Sequence, residues 1–259
     1  MMSRPFSIRL RSVLLAAILA GALSATARAG EVPREVRVAV AANFLTAARE
    51  IGAAFEAETG HRAIVSHGST GQLYVQIAQG APYEVFLAAD RDRPARAIDE
   101  GYAVPGSRFT YATGRLVLYG KDPALVRGPE TLRADAFAHL AIANPAIAPY
   151  GVAAVEAMTA LGLYEFLEDK IVRGTNIAQT YQFVETGNAE LGFVALAQLA
   201  GREGGSRWLV PEALHAPIAQ DAVLLNRGAD NESARAFVAF LRGPTARAIK
   251  EKYGYGPGD

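Results

Sequence analysis

Four turns of the sequence place small, amide or hydroxyl residues where a strand-like segment gives way to a helix-like one. At a helix start the first backbone N–H groups lack partners within the helix and carry partial positive charge, so such a turn can bind an anion. Glycines there let a ligand approach the backbone, and hydroxyls can donate to it. The four turns are Ala41-Ala42-Asn43, His67-Gly68-Ser69-Thr70-Gly71, residues 144–151 (NPAIAPYG) and Gly174-Thr175-Asn176-Ile177.

The second of these turns, HGSTG, allows three interpretations. Ser69 and Thr70 could donate hydroxyl hydrogen bonds to an anion, or either could simply cap the helix that follows. Ser66 or Ser69 beside His67 could form the nucleophile and base of a secreted hydrolase. The chain lacks a G-x-S-x-G elbow, and successive strand side chains point to opposite faces, which argues against a hydrolase. No G-K-[ST] follows the turn, so it is not a Walker A loop.

The other turns have equally ordinary structural interpretations. Asn43, Thr175 and Asn176 could serve only as helix caps. Tyr150 lies between a proline and a glycine, where an aromatic ring usually packs, although its hydroxyl could also donate to a ligand. Each signal is weak alone, but four such turns in one chain favour a shared anion-binding role.

Segments of strand and helix character alternate along the chain and must position these turns. Strand-like segments span 36–41, 63–66, 84–88, 116–119, 140–143, 191–195 and 222–225. Helix-like periodicity spans 44–59, 72–79, 94–100, 153–161, 177–185 and 233–241. This alternation predicts an α/β fold with largely parallel sheets covered on both faces. In such folds ligands bind beyond the carboxyl ends of the strands, where all four turns lie.

Composition excludes several classes of function. The 259 residues contain no cysteine, which removes disulfide scaffolds, thiol catalysis and zinc-thiolate sites. Four histidines, none paired at H-E-x-x-H spacing, leave little for a metal site, so no bound cation is expected. The 26 basic and 26 acidic residues give no electrostatic case for nucleic acid.

The N-terminus is predicted to be a secretory signal peptide spanning residues 1–29. Arginines precede a short apolar run, Val13 to Leu23, and Ala27-Arg28-Ala29 supplies a small-x-small cleavage pattern. The run is too short to span a bilayer. Cleavage would remove four arginines and no acidic residue, leaving an exported protein with net charge −4.

Six stretches give the chain a family resemblance that covers the exported part in collinear order. They are VAVAANF (38–44), HGSTGQLYVQIAQGAPYEVFLAAD (67–90), GSRFTYATGRLVLYG (106–120), LAIANPAIAPYG (140–151), QFVETGNAELGFVA (182–195) and FLRGPTARAIKEKYGY (240–255). The chain resembles the substrate-binding proteins of molybdate ABC transporters, the ModA-type periplasmic binding proteins. The resemblance implies a two-lobe type II periplasmic-binding-protein fold, each lobe a mostly parallel sheet with flanking helices, joined by two crossings. The lobes would comprise residues 30–112 with 222–259, and 113–221.

The resemblance also implies a set of ligand-binding residues, which begins with the first two turns. The turn after the first strand holds the oxyanion in this family, and here it carries Ala42 and Asn43. An asparagine amide can donate, but the hydroxyl that many relatives carry is missing. The serine-rich turn of the family matches Ser69 and Thr70, with Thr70 at the position expected to touch the ligand.

In the second lobe the family's backbone donors match Tyr150 and Ile177 at two helix starts. Many relatives carry a ligand-binding tyrosine after the LGFV-like strand, where this chain has Ala195. The phenol of Tyr150 could replace it from the neighbouring turn.

The resemblance implies a monomeric periplasmic protein without a cofactor, which captures molybdate or tungstate and delivers it to the membrane permease of an ABC importer. The turns contain no aspartate or glutamate to accept the proton that phosphate carries near neutral pH, which argues mildly against phosphate. Sulfate, phosphate or a ferric complex remain alternative ligands, and a secreted serine hydrolase remains a different class of function. The preference for molybdate over sulfate depends on the resemblance, because a sequence does not reveal cavity size.

Overall fold

The computed structural model describes residues 35–134 and 136–258, so the predicted signal peptide lies outside the described residues. Its strands are β1 Glu35–Ala41, β2 Arg62–Gly68, β3 Val85–Leu87, β4 Phe109–Gly114, β5 Leu116–Gly120, β6 Leu140–Ala143, β7 Ile171–Gly174, β8 Leu191–Ala195, β9 Ser206–Leu209 and β10 Ile218–Leu224. Its α-helices are α1 Leu45–Thr59, α2 Thr70–Ala78, α3 Asp92–Asp99, α4 Pro149–Ala160, α5 Tyr164–Leu167, α6 Ile177–Glu185, α7 Glu232–Arg242 and α8 Pro244–Lys252. None of these helices is long and apolar enough to cross a membrane.

The strands form two five-stranded sheets, ordered β2-β1-β3-β10-β4 and β7-β6-β8-β5-β9. We call the first sheet with α1, α2, α3, α7 and α8 the first lobe, and the second sheet with α4, α5 and α6 the second lobe. This α/β architecture of two sheets with flanking helices is the one predicted. Each sheet is mixed, whereas mostly parallel sheets were predicted: β1 is parallel to β2 and β3, and β6 is parallel to β7 and β8. The antiparallel pairs are those made by β10 and β5.

The chain passes between the sheets twice, and both passages begin or end in the first sheet. β4 ends at Gly114 and β5 begins at Leu116, so only Arg115 separates the two sheets on the first passage. The return runs from Leu209 to Ile218. β4 and β10 pair from Phe109 to Gly114, with a register shift between Gln220 and Asp221. The predicted lobe limits at 112/113 and 221/222 therefore fall inside these two strands.

Apolar periodicity explains both the elements and their packing. The buried face of α1 includes Ala47, Ile51 and Phe55, which lie at the helical spacing read from the sequence. These residues pack with the apolar side chains of β1 and with Phe237 of α7 in the core of the first lobe. Leu116, Ile142, Ala154, Met158 and Phe193 belong to the corresponding core of the second lobe. In each lobe the core lies between the sheet and the helices packed on it. This packing positions the helices, and therefore their first residues, relative to the strands.

Three strands have no counterpart among the predicted segments. β7 and β9 have only four residues each, and their burial is partial, so neither has a long apolar or alternating run. β4 (FTYATG) combines aromatic, hydroxyl and glycine residues, which weakens its strand pattern. Their neighbours in the sheet, rather than their own composition, determine that these segments are extended.

The parallel strands bring the four turns together. Residues at the carboxyl ends of β1 and β2, Ala41 and Gly68, are register partners, and Ala143 at the end of β6 is the partner of Gly174 at the end of β7. Each pair of turns therefore begins at one edge of its sheet. The helices that follow, α1 with its preceding 3₁₀ turn, α2, α4 and α6, start from these edges.

Candidate functional site

A small cavity lies between the two lobes at these helix starts. Its volume is about 10 Å³, close to the space that one water molecule needs. The six predicted site residues all line it, and both lobes contribute. The complete lining is Ala41, Ala42, Asn43, Gly68, Ser69, Thr70, Ala89, Ala148, Pro149, Tyr150, Asn176 and Ile177.

The hydroxyls of Ser69 and Thr70 both act as hydrogen-bond acceptors. Ser69 is the N-cap of α2, and its Oγ accepts from the backbone N–H of Gln72 at 3.3 Å, while Gln72 Oε1 accepts from Ser69 N at 3.4 Å. Thr70 Oγ1 accepts from the backbone N–H of Ala89 at 3.0 Å. A hydroxyl that accepts still has its own hydrogen to donate. The capping interpretation of Ser69 is therefore confirmed, and it is compatible with donation to a ligand.

Asn43 does not serve as a helix cap. The 3₁₀ turn that precedes α1 begins after Ala41 and has no side-chain cap. The buried Asn43 amide donates instead to Gln220 Oε1 at 2.9 Å and to the Tyr255 hydroxyl at 3.3 Å. The Tyr255 hydroxyl in turn donates to the Asn43 carbonyl at 2.8 Å. Asn43 thus joins the first turn to β10 and to the C-terminal segment.

Tyr150, the second residue of α4, points its phenol toward the passage between the lobes. Its oxygen accepts from Gln220 Nε2 at 3.5 Å, a long hydrogen bond that joins it to β10. Burial raises the pKa of the Tyr150 hydroxyl, so the phenol stays protonated at neutral pH. A Cβ at position 114 would lie 2.2 Å from this oxygen, so a glycine is required there.

Ile177 is the first residue of α6, and its neighbour Asn176 caps the helix. Asn176 Oδ1 accepts from the N–H groups of Ala178 at 2.9 Å and Gln179 at 3.1 Å. Ile177 follows the cap directly and lies at the cavity wall with 4% of its surface exposed. Its N–H belongs to the first turn of α6, where no acceptor within the helix is available.

Position 195, where many relatives are expected to carry tyrosine, holds a fully buried alanine at the end of β8. Ala195 N–H donates to Gln198 Oε1 at 2.9 Å, and Gln198 Nε2 donates to the Ile177 carbonyl at 3.0 Å. The segment after β8 therefore supports the start of α6. Ala195 itself does not line the cavity.

Beside the cavity, two neighbouring carbonyls of the second lobe accept hydrogen bonds from the first lobe. Gly71 N–H of α2 donates to the Ile147 carbonyl of the second lobe at 2.9 Å. Arg93 Nη2 donates to the neighbouring Ala146 carbonyl at 3.4 Å. A Cβ at position 71 would lie 3.1 Å from three atoms of Ile147, so the approach of the two backbones depends on glycine. The structure therefore has its lobes closed on each other.

The cavity wall contains no charged side chain. No Asp, Glu, Lys, Arg or His belongs to its lining. The nearest carboxylate in sequence, Asp90, follows Ala89 and is paired with Arg93, and it also accepts from Arg93 N–H at 3.0 Å. Burial raises the pKa of Asp90, with the charge of Arg93 opposing this effect. In the described part of the chain, no group of three potential ligating side chains could hold a metal ion.

Two larger cavities differ in their relation to the helix starts. One of about 360 Å³ shares Ala89 and Pro149 with the small cavity and has charged residues of both signs in its wall. Another of about 740 Å³ lies on the first lobe between β4 and α8. None of the four turns lines this 740 Å³ cavity, so size alone does not identify the site.

Matches to known proteins agree with this geometry. A family model described as bacterial extracellular solute-binding protein matches residues 36–256. The molybdate-binding protein ModA of Rhodobacter capsulatus is 51% identical over 251 residues, which cover 97% of each chain. The chain belongs to the ModA-type bacterial extracellular solute-binding proteins.

Further members and more distant structures extend this family assignment. ModA of Azotobacter vinelandii is 51% identical over 249 residues, covering 95% of this chain and 97% of the relative. The structure of an Azotobacter vinelandii periplasmic molybdate-binding protein aligns with a TM-score of 0.83 at 40% identity, over 85% of this chain and 98% of that one. The sulfate-binding protein SubI of Mycobacterium tuberculosis shares the fold, with a TM-score of 0.72 at 12% identity over 86% of each chain.

Membership in this family makes the chain a solute-binding protein rather than an enzyme. The local geometry also disfavours the hydrolase interpretation. Ser69 Oγ is bonded to the backbone of Gln72, whereas His67 is exposed on β2. Among the described residues the two side chains form no hydrogen bond with each other.

Sequence reasoning missed the polar residues that support the cavity from behind. Gln220, Tyr111 and Tyr255 are buried and form one hydrogen-bonded cluster with Asn43. The available signal was the polar pair Gln220-Asp221 within the otherwise apolar strand β10. A buried amide inside an apolar strand requires partners, which marks it for a structural or functional role.

The buried phenols predict a loss of stability in alkali. Burial raises the pKa of Tyr255 well above its usual value of 10. Above pH 10 the unfolded chain releases this proton and the folded chain keeps it, so folding stability falls as pH rises. In Tyr255→Phe this proton no longer contributes. The free energy of unfolding should therefore fall less steeply with pH than in wild type, by about 1.4 kcal/mol per pH unit above pH 10. Urea unfolding of wild type and variant at pH 8, 10 and 11 measures it.

Tyr255→Phe also loses hydrogen bonds to Asn43, which lowers stability at every pH, so only the change in slope tests the prediction. Tyr83→Phe is the control, since the Tyr83 hydroxyl bonds to Gln76 at the exposed surface. The prediction would be contradicted if the free energies of unfolding of wild type and Tyr255→Phe changed with pH in parallel from pH 8 to 11.

Proposed function

We propose that this protein captures molybdate, and also tungstate, between its two lobes and delivers it to the membrane permease of an ABC importer. The observation that carries this proposal is the convergence of helix starts from both lobes on one uncharged cavity. The ModA relatives, which are 51% identical over nearly the whole chain, support the choice of ligand.

The ligand-binding residues in this proposal are Ala42, Asn43, Ser69, Thr70, Tyr150 and Ile177. Backbone N–H groups at the helix starts, the hydroxyls of Ser69 and Thr70 and the phenol of Tyr150 supply the donors. A dianion held by such donors gains charge-assisted hydrogen bonds without a buried cationic partner whose own desolvation would cost free energy. The absence of lysine and arginine from the wall is therefore compatible with a strongly charged ligand.

The wall chemistry also favours one class of oxyanion. Molybdate, tungstate and sulfate accept hydrogen bonds only, whereas phosphate near neutral pH carries a proton that needs an acceptor. The lining contains no carboxylate, and Asp90 nearby is occupied by Arg93. Sulfate differs from molybdate in size, since metal–oxygen bonds are longer than sulfur–oxygen bonds. The cavity of about 10 Å³ must widen for either anion, so the separation of the lobes in the bound state sets the size preference.

Ligand binding closes the protein because only the closed state offers donors from both lobes. In this proposal the lobes are residues 30–112 with 222–259, and 113–221, and the closed form is the one that the permease recognises. The protein is exported by the signal peptide of residues 1–29, acts in the periplasm as a monomer and needs no cofactor.

A panel of oxyanions tests the ligand assignment. Any ligand that binds only the folded state raises the melting temperature, by a stabilisation that grows with the logarithm of the ratio of its concentration to its dissociation constant. Molybdate and tungstate should stabilise the purified mature protein, while sulfate, phosphate and vanadate at the same concentration should not. Thermal unfolding measures this, and calorimetry gives the affinities. Stabilisation by none of the five anions would overturn the proposal, and stabilisation by sulfate alone would reassign the ligand.

Tyr150→Phe tests whether the phenol replaces the tyrosine that is missing at Ala195. Loss of one charge-assisted donor should weaken molybdate binding by about 1.5–3 kcal/mol, or roughly ten- to hundredfold. Isothermal calorimetry measures the change, with Tyr83→Phe as a control remote from the cavity. Affinity equal to that of wild type would show that the phenol does not contact the anion.

Gly71→Val tests the role of lobe closure. The added side chain would meet Ile147, where even a Cβ lies only 3.1 Å away, and the closed state should lose stability. We expect molybdate affinity to fall by about tenfold or more, mainly through faster dissociation, with little change in the melting temperature of the ligand-free protein. Val75→Ala on the exposed side of the same helix is the control. Wild-type dissociation kinetics in Gly71→Val would refute the closure argument.

A further inference from the structure

Gln220 is a fully buried amide in β10, on one of the two strands that connect the lobes. It does not line the small cavity. Its side chain nevertheless lies between the first-lobe residue Asn43 and the second-lobe residue Tyr150. A buried amide has both donors and acceptors to satisfy, so its orientation determines what its neighbours can do.

The Asn43 amide fixes the orientation of the Gln220 amide. Because the Tyr255 hydroxyl gives its hydrogen to the Asn43 carbonyl, it must accept from Asn43 Nδ2, which also donates to Gln220 Oε1 at 2.9 Å. The Tyr111 hydroxyl lies 3.0 Å from Gln220 Oε1 and 3.0 Å from the Ala88 carbonyl, which share its one hydrogen. The opposite end, Nε2, therefore faces the Tyr150 phenol at 3.5 Å. Gln220 thus offers Tyr150 a donor and not an acceptor.

The other groups around the Tyr150 oxygen are donors as well. Against the dominant effect of burial, the Gln220 side chain, the Asn43 side chain and the Arg115 backbone each lower the pKa of the Tyr150 hydroxyl, because each presents an N–H rather than an acceptor to its oxygen. A phenol has one hydrogen and can accept two hydrogen bonds. Since N–H groups cannot accept, the Tyr150 hydrogen has no acceptor among these three neighbours and is available to the cavity that Tyr150 lines. The Tyr150 oxygen can occupy this position because residue 114 is glycine, since a Cβ there would lie 2.2 Å from it.

We infer that Gln220 is a positioning residue for oxyanion binding: its Nε2 keeps the Tyr150 oxygen as an acceptor and so directs the phenol hydrogen to the ligand. The inference rests on the proposed function and on donation by Tyr150. It assigns a binding role to a residue that never touches the anion. It also explains why an apolar strand carries an amide at this point.

Gln220→Glu replaces the N–H donor that faces Tyr150 by a carboxylate acceptor of nearly the same size. A carboxylate at this position accepts the phenol hydrogen and competes with the anion for it, and its charge also repels the dianion. Molybdate affinity should therefore fall by more than about tenfold. In a Tyr150→Phe background only the charge repulsion remains. There the same substitution should reduce molybdate affinity by a factor at least about five times smaller than in the wild-type background. Calorimetry on wild type, both single variants and the double variant measures this coupling.

Gln220→Met provides a second, uncharged test if the glutamate variant does not fold. It removes the donor without adding an acceptor, and it should weaken molybdate binding by about two- to fivefold in the wild-type background and not in Tyr150→Phe. Circular dichroism and thermal unfolding confirm that each variant is folded. Gln76→Glu, on the exposed surface of α2, controls for an added negative charge.

The outcomes separate the two proposals. Wild-type protein that binds no oxyanion overturns the proposed function, and the inference about Gln220 falls with it. If wild type binds molybdate but the Gln220 substitutions reduce molybdate affinity by the same factor with Tyr150 and with Phe at position 150, the proposed function stands and the positioning role is wrong. A purely structural role for Gln220 would also give equal costs, so the coupling distinguishes it from positioning.

Discussion

A buried dianion without a countercharge must find its stabilisation in N–H and O–H donors, and this constraint explains how the molecule is built. Helix starts supply such donors only when they point to one place. In this chain the parallel pairs β1 with β2 and β6 with β7 end side by side, and the following helices begin at those ends. The mixed sheets preserve this arrangement because their antiparallel pairs involve β10 and β5, which lead the chain between the lobes. The fold thus concentrates donors at a cavity wall that contains no charged side chain.

The donors depend in turn on groups behind the wall. Ser69 and Thr70 accept hydrogen bonds from the backbone N–H groups of Gln72 and Ala89, and neither contact uses the hydroxyl hydrogen. Tyr150 accepts from Gln220 Nε2 in the same way. In each case a protein N–H uses the oxygen as an acceptor, so the hydroxyl keeps its hydrogen to donate toward the cavity. Capping and ligand binding are therefore not competing interpretations of such residues.

The sequence was sufficient to predict the α/β class and the four turns that supply every residue of the cavity wall except Ala89, for a physical reason. Turns between strands and helices have strong local patterns, and the carboxyl ends of parallel strands must share an edge. β7 and β9 could not be predicted because four partly buried residues have no periodicity of their own. Gln220 could not be placed either. Its role depends on contacts with Asn43 and Tyr150, which are 177 and 70 residues away in the chain.

The contacts around Tyr150 also bear on how the lobes move. Arg115 lies on one passage between the lobes and Gln220 on the strand that completes the other, and both reach the Tyr150 oxygen. A rotation about these passages changes distances near them least, so the phenol keeps its partners as the lobes open. The bond between Gly71 and Ile147 involves neither passage and must break. Under the proposed function, the anion first meets donors that are already oriented, and closure adds those of the opposite lobe. The net charge of −4 that the predicted cleavage after residue 29 would leave hardly opposes this, since exposed charges are screened over about 10 Å at ordinary ionic strength while the donors act at contact.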